Sequence, residues 1–338
     1  MLYVPLLEAA GFEVEVRSMF SDMYLARLYE SGRKNVIEVA HGYFRRVGDL
    51  LRARDFHAVW LEKELFPFWP AVFERLLAAV GTPYVVDYDD AIFHTYDGHG
   101  SSLVRGMFRD KLRPLIRGAF AVTVGNRYLA DWARMSGARK VEIVPTVIDY
   151  RRYPPPLATR DTGDELRIGW IGTPVTTQYL WLVRDALRHL AKRHPLRLIT
   201  IGAAPLVGYG VPVEQHTWTV ETEAARIMQF DVGIMPLRDS PWERGKCGYK
   251  LVQYLGCGKP VVASPVGVNV DIVSGADVGF LASNTNEWTA ALETLSTNLK
   301  LRGRMGENGR RLVESTFSVE AVGSRIVALM DQACIQLH

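Results

Sequence analysis

Lys246, Gly248, Tyr249 and Lys250 stand close together after the stretch Asp239-Ser-Pro-Trp-Glu-Arg. A turn rich in proline and glycine opens there into a short amphipathic segment, Tyr249 to Leu255. Gly256 and Gly258 close it before the apolar run Pro260 to Ala263, the pattern of a helix feeding a buried strand. Backbone N–H groups at Gly248, Tyr249 and Lys250 have no acceptor inside such a helix. The macrodipole adds partial positive charge where two lysines already flank the turn. That combination suits a diphosphate; an ordinary loop before an ordinary helix is the plain alternative for the local chemistry alone.

A second constellation is Asp87-Tyr88-Asp89-Asp90, directly after the strand-like run Pro83 to Val86. Carboxylates at the carboxyl end of a strand sit where α/β sheets bind ligands. Asp89 or Asp90 can take a proton from a bound hydroxyl or orient it. The same residues can equally be turn and helix-capping aspartates. His94 is a weaker candidate, because a lone histidine in a loop is more often incidental.

These residues need elements to hold them, and strands and helices alternate along the chain. Met1 to Ala10 reads as a helix stopped by Gly11, Phe12 to Val16 as a strand, Tyr24 to Tyr29 and Arg33 to Ala53 as helices. Strands follow at Ala58 to Leu61, Pro83 to Val86, Phe120 to Val124 and Val141 to Val144. Helices are expected at Ala71 to Val80 and, capped by Asn126, at Arg127 to Met135. A proline-first, polar stretch from Tyr153 to Asp164 marks a boundary. Beyond it the strands are Leu166 to Ile171, Leu196 to Ile201, Val213 to Trp218 and Val232 to Met235. The helices are Thr177 to Ala191, Glu221 to Gln229, Asn286 to Leu299, Lys300 to Glu314 and a terminal amphipathic one, Val319 to Gln332. This alternation predicts parallel sheets. The domains expected are 1–150, a linker 151–164 and 165–315, with a closing helix 316–335 packing back on the first. An α/β domain normally starts on its central strand rather than a helix. The first domain is therefore expected to lack its first strand, as a start placed too late or a truncated sequence would leave it.

At 338 residues the chain suits two domains, and 48% apolar residues can pack both. A formal charge of +3 with no long basic stripe argues against a nucleic-acid partner. Arg105, Arg109, Lys111, Arg113 and Arg117 form one local cluster, expected to be a solvated helix face, although it can also meet anionic lipid or a phosphorylated acceptor. Cys247, Cys257 and Cys334 show neither metal spacing nor a disulfide framework. That fits a reducing, cytoplasmic setting. No run approaches the roughly 18 apolar residues of a membrane span, so any membrane contact is expected to be peripheral, at the inner face.

Two α/β halves, a proline-rich hinge, the sequence Lys250-Leu-Val-Gln-Tyr-Leu-Gly-Cys-Gly-Lys-Pro-Val-Val-Ala-Ser-Pro-Val-Gly and a closing helix after Phe317 together resemble the GT-B glycosyltransferases of the group 1 family. The resemblance is densest from Arg167 to Val273 and thinner before Tyr150. It implies two Rossmann-like domains facing across a cleft, nucleotide-sugar donor on the second and acceptor on the first. By that resemblance Gly248, Tyr249 and Lys250 offer amides to the donor phosphates, and Gly172 and Thr173 form the turn that approaches the phosphates and sugar. His216, Thr217 and Trp218 fall beside the nucleobase, and Gly125 and Asn126 at a helix start facing the cleft.

There are departures. Where the family commonly shows Glu-x7-Glu, this chain has Gly245 and Gln253. Gln253 can still hydrogen-bond a ribose, but Gly245 cannot replace a carboxylate; Glu243 is the nearest substitute. The basic residue usual in the first turn of the second domain is also absent, and Lys246 and Lys250 are the candidates for its charge. Many relatives carry a histidine in a slot that falls on or next to Asp89. Asp87-x-Asp89 also matches the metal-holding pair of single-domain transferases, but the lysine and amide seat makes a metal unnecessary, so no metal and no cofactor are expected.

The reaction these readings lead to is transfer of a hexose or related sugar from a nucleotide diphosphate to a hydroxyl of a glycan, a lipid-linked glycan or a small molecule. Fixed dipoles and lysines would stabilise the leaving diphosphate, and closure around the hinge would exclude water. The family implies retention of anomeric configuration. An epimerase or phosphorylase, and a binding subunit that performs no transfer, are the rivals.

Overall fold

The computed structural model describes residues 2–21, 23, 24, 27, 35–154 and 165–336. The chain divides into two units, residues 1–144 with 323–338, and residues 145–322. The linker expected at 151–164 is described only to Pro154, and residues 155–164 lie outside the described residues.

The first unit is built on four parallel strands, β1 (Val59–Glu62), β2 (Tyr84–Tyr88), β3 (Ala121–Val124) and β4 (Val141–Ile143), paired in that order. All of β3 and the residues Tyr84, Val85, Val86 and Tyr88 of β2 are buried, as a sheet covered on both faces requires. Asp87, with Thr123 beside it, is the polar member of β2. The helix Val72–Val80 stops at Gly81, whose φ of +88° is the left-handed geometry of a glycine stop. Asn126 caps the helix Arg127–Met135 by accepting the Leu129 N–H at 2.9 Å.

Phe12 to Val16 is not a strand. Its alternating charges make side-chain ion pairs instead of a sheet face, Arg17 with Glu15 and Asp49 and Glu15 with Arg52. Most of the helix expected at Tyr24 to Tyr29, and the first residues of that expected from Arg33, lie outside the described residues. The described helix runs Val36–Leu51, with Asn35 accepting the Ile37 and Glu38 N–H groups. Lys111 is not on a solvated face: its amine is buried with Glu64, the Phe66 carbonyl and, at 3.3 Å, Glu74. Arg109, Arg113 and Arg117 are exposed as expected.

The second unit holds six parallel strands, β5 (Leu166–Ile171), β6 (Leu196–Ile201), β7 (Val213–His216), β8 (Val232–Met235), β9 (Val261–Ala263) and β10 (Gly279–Leu281), ordered β10-β9-β8-β5-β6-β7. The chain builds outward from β5 to β7, then crosses back to β8 on the other side of β5. Ligands of doubly wound sheets lie at that reversal, beyond the carboxyl ends of the two strands. The Gly172 turn follows β5 and the stretch Asp239 to Gly248 follows β8, so both candidate loops leave from the same point. The helix expected at Thr177 to Ala191 is split into a 3-10 stretch, Pro174–Leu182, and the α-helix Arg184–Ala191. Thr173 and Thr176 form a capping box and Pro174 starts the turn early; β-branched Val175, Thr176 and Thr177 then disfavour a regular α-helix.

Candidate functional site

The helix after the proline- and glycine-rich turn runs Tyr249–Gly256. Gly248 is its N-cap with φ +73° and ψ +16°, and a Cβ there would come within 2.7 Å of Ile272 Cδ1. Only glycine takes that geometry without strain. The first turn-closing bond is from Val252 N–H to the Gly248 carbonyl at 3.2 Å, and the amides before it have no acceptor inside the helix. Gly248 is buried, Lys246 and Lys250 are partly buried, and Tyr249 is 44% exposed.

Lys250 is where the structure adds most. Its amine lies 4.1 Å from the centroid of the Trp170 ring of β5 and against Gly172, where a Cβ would stand 2.6 Å from Nζ. A Cβ at Gly172 would meet the Trp170 ring before it met the lysine, so the indole and the amine together leave room there only for glycine. Burial pushes the Lys250 amine down to about 7, and the neighbouring Lys246 charge pushes the same way. A cation held in a desolvated, like-charged place with only an aromatic face against it is poised for an anion. Thr173, beside it, is exposed and spends its hydroxyl on the local capping box. Gly202 after β6 completes the floor: φ is +74°, and a Cβ would meet the Gly172 carbonyl and stand 3.3 Å from Trp218 Cβ.

Glu243 does not supply the carboxylate that Gly245 lacks. It is buried, and its two oxygens accept from the Tyr179 hydroxyl at 2.5 Å and from Ser240. Burial opposes its charge, but those hydroxyls and Lys246 outweigh that and hold the carboxyl below its usual range. Gln253 is 2% exposed, and its amide reaches the Tyr153 hydroxyl at 3.4 Å. His216 pairs with Glu214 at 2.8 Å. Trp218 is 47% exposed, with its indole N–H donated to Glu223 at 2.5 Å. Sequence reasoning did not pick out Glu223 or Tyr153: a lone acid at a helix start carries no signal beyond capping.

In the first unit, Asp87, Asp89 and Asp90 gather at the end of β2. Thr123 donates its hydroxyl to Asp87 at 2.5 Å. Burial raises the Asp87 carboxyl to about 6, with the Asp89 and Glu62 charges adding to the rise and the Thr123 bond and Lys63 opposing it. Asp89 is exposed and pairs with Lys63 at 3.0 Å, and Asp90 accepts the Ala91 N–H at 3.0 Å, a local turn bond. His94 is held between Asp97 at 2.7 Å and Tyr128 at 2.8 Å.

Residues 165–298 match the model of the family described as Glycosyl transferases group 1. No curated protein matches the chain. Among solved structures, it is similar to Anabaena Alr3699/HepE in complex with UDP-glucose, at 15% identity and a TM-score of 0.67 over 85% of this chain and 82% of that one. It is also similar to sucrose-phosphate synthase (tll1590) from Thermosynechococcus elongatus, at 15% identity and a TM-score of 0.67 over 98% and 91% of the two chains. A third is the S. aureus TarM G117R mutant in complex with fondaparinux, alpha-GlcNAc-glycerol and UDP, at 14% identity and a TM-score of 0.54 over 73% of this chain and 50% of that one. At these identities the likeness to solved structures is one of fold. The family match over residues 165–298 and the likeness in fold to GT-B glycosyltransferases bear out the resemblance carried by Arg167 to Val273.

Proposed function

We propose that the protein transfers a sugar from a nucleotide diphosphate sugar to an acceptor hydroxyl, with the donor diphosphate seated on the second unit. The observation that carries this is the position of Lys250, whose amine rests on Trp170 and Gly172 at the end of β5 while its backbone belongs to the first turn of Tyr249–Gly256. One residue thus joins the two loops that leave the reversal point of the sheet. The amides of Gly248, Tyr249 and Lys250 and the Lys246 and Lys250 amines would meet the diphosphate, with Gly172 and Thr173 beside the sugar and Trp218 toward the nucleoside; Gln253, 2% exposed and bonded to Tyr153, lies behind that surface rather than on a ribose as expected. These groups stabilise charge on the leaving diphosphate by fixed dipoles and cations, so the reaction needs no metal. Asp89 and Asp90 are assigned to the acceptor hydroxyl, and retention of configuration follows the family resemblance. We place the reaction in the cytoplasm; no helix among the described residues is long and apolar enough to cross a membrane.

UDP-glucose, held by the HepE structure, is the first donor to try, followed by other nucleotide diphosphate sugars. Lys250→Ala is expected to weaken nucleoside diphosphate binding about 10- to 100-fold, the range of one charge-assisted contact, and to leave nucleoside binding nearly unchanged. Titration calorimetry with UDP and with uridine reads both. Equal losses for the two ligands remove the diphosphate assignment. Because Glu243 is turned into the fold and position 245 is glycine, a binding subunit without transfer is the second reading. Donor binding with neither transfer nor hydrolysis would establish it.

A further inference from the structure

Glu223 is a carboxylate only 7% exposed at the first position of the helix Glu223–Ile227, and neither of its two bonds is to a cation. One oxygen accepts the Trp218 indole N–H at 2.5 Å and the other the Tyr153 hydroxyl at 2.5 Å. Burying a carboxylate with neutral partners is costly, and Tyr153, itself 3% exposed, passes the contact on to Gln253 Nε2. Tyr249 lies close enough to feel the Glu223 charge. What this chain of bonds fixes at its solvent end is a half-exposed indole. With its N–H consumed, Trp218 presents its flat apolar faces, and its Cβ lies 3.3 Å from where a Cβ on Gly202 would stand, a position that also meets the Gly172 carbonyl. The indole is therefore anchored one loop away from the Lys250 amine, across the Gly172 and Gly202 pair.

We propose that Glu223 is a positioning residue of a nucleoside subsite, holding Trp218 as the platform on which the base of a nucleoside diphosphate stacks. An aromatic face locked before binding loses little freedom when a ring settles on it, and stacking of this kind accepts any base. Glu223 also explains Gln253: a second carboxylate there would face the hydroxyl that already serves Glu223 and repel its charge, whereas an amide donates to that hydroxyl. The proposal rests on the diphosphate seat described above and extends it to the other end of the ligand.

The test compares inorganic diphosphate with UDP, GDP and ADP by titration calorimetry on the full chain. Glu223→Ala is expected to weaken the nucleoside diphosphates about 10-fold or more while inorganic diphosphate stays within about twofold. Glu223→Gln, which keeps an acceptor oxygen and the shape, should recover most of the loss and covers the case in which the alanine variant fails to fold. In a Trp218→Phe background, which keeps a stacking face but has no N–H, Glu223→Ala should lose most of its effect, because the bond it breaks is already gone. Equal weakening of diphosphate and nucleoside diphosphates, or an undiminished effect in the Trp218→Phe background, overturns the positioning role. Wild-type protein that binds inorganic diphosphate but no nucleoside diphosphate more tightly also overturns it, and leaves the diphosphate seat standing. Wild-type protein that binds none of the four ligands removes the seat itself.

Discussion

Lys250 differs from an ordinary surface lysine in having an indole face below it, a glycine turn beside it and Lys246 as the charge it feels. Its amine is pushed down to about 7 by burial first and by Lys246 second, so near neutrality it is partly uncharged in the free protein. Folding is linked to the same group: the unfolded lysine keeps its proton up to its ordinary value, so between about 7 and that value the unfolded state binds more protons and stability rises with pH. A bound diphosphate favours the ammonium and raises its pKa, so binding takes up a proton. Affinity is therefore fullest below about pH 7 and falls as pH rises through it, by at most about tenfold per unit for one proton. Lys250→Arg keeps its charge throughout and should bind UDP with a flatter profile. Calorimetry in buffers of different ionisation heat reads the proton directly. No uptake by the wild type, or the same uptake by Lys250→Arg, would contradict the placement of that amine.

At the scale of elements, the turn and helix proposed to carry the seat were legible in the sequence because glycines bracket them and β8 and β9 are short apolar runs whose length and flanking Gly and Pro mark them as buried strands. Strands β5, β6 and β8 fall at the expected residues for the same reason. The short pieces were not legible: Val268–Ser274, β10 and the four-residue helices at His94–Asp97 and Pro241–Arg244 are too brief for a period to show. Nor could spacing reveal that Lys250 reaches Gly172, since only the parallel pairing of β5 with β8 brings them together. The helix start itself makes a prediction. Gly248→Ala must either hold alanine at φ +73° or rotate the cap, and its Cβ crowds Ile272. A loss of about 1–3 kcal/mol in stability is expected, together with weaker UDP binding because the amides no longer point as a set. Chemical denaturation and calorimetry on the same preparation read the two. Unchanged stability and affinity would mean that the left-handed cap is not what shapes the seat.

At the scale of the whole molecule, the two units bring different chemistry, and a single carboxylate tests the division. In the proposed reading the second unit would hold the diphosphate with amides and lysines, whereas the first offers acids at the end of β2. Asp89 is the exposed member, paired with Lys63, while Asp90 is engaged by a turn bond and Asp87 by Thr123. An exposed pair of this kind contributes only about 0–1 kcal/mol to stability, so Asp89→Asn should fold as the wild type does. If the acceptor hydroxyl gives its proton to Asp89, that substitution lowers turnover by about 100-fold or more, the scale of general acid–base catalysis, with UDP affinity unchanged; Lys250→Ala shows the reverse emphasis, a weakened donor first. Turnover is followed by release of UDP from UDP-glucose in the presence of a panel of hydroxyl acceptors, and affinity by calorimetry. A collapse of UDP affinity in Asp89→Asn would assign Asp89 to the donor. Unchanged turnover would leave it a turn aspartate, and the burden would pass to Asp87, whose carboxyl burial raises to about 6.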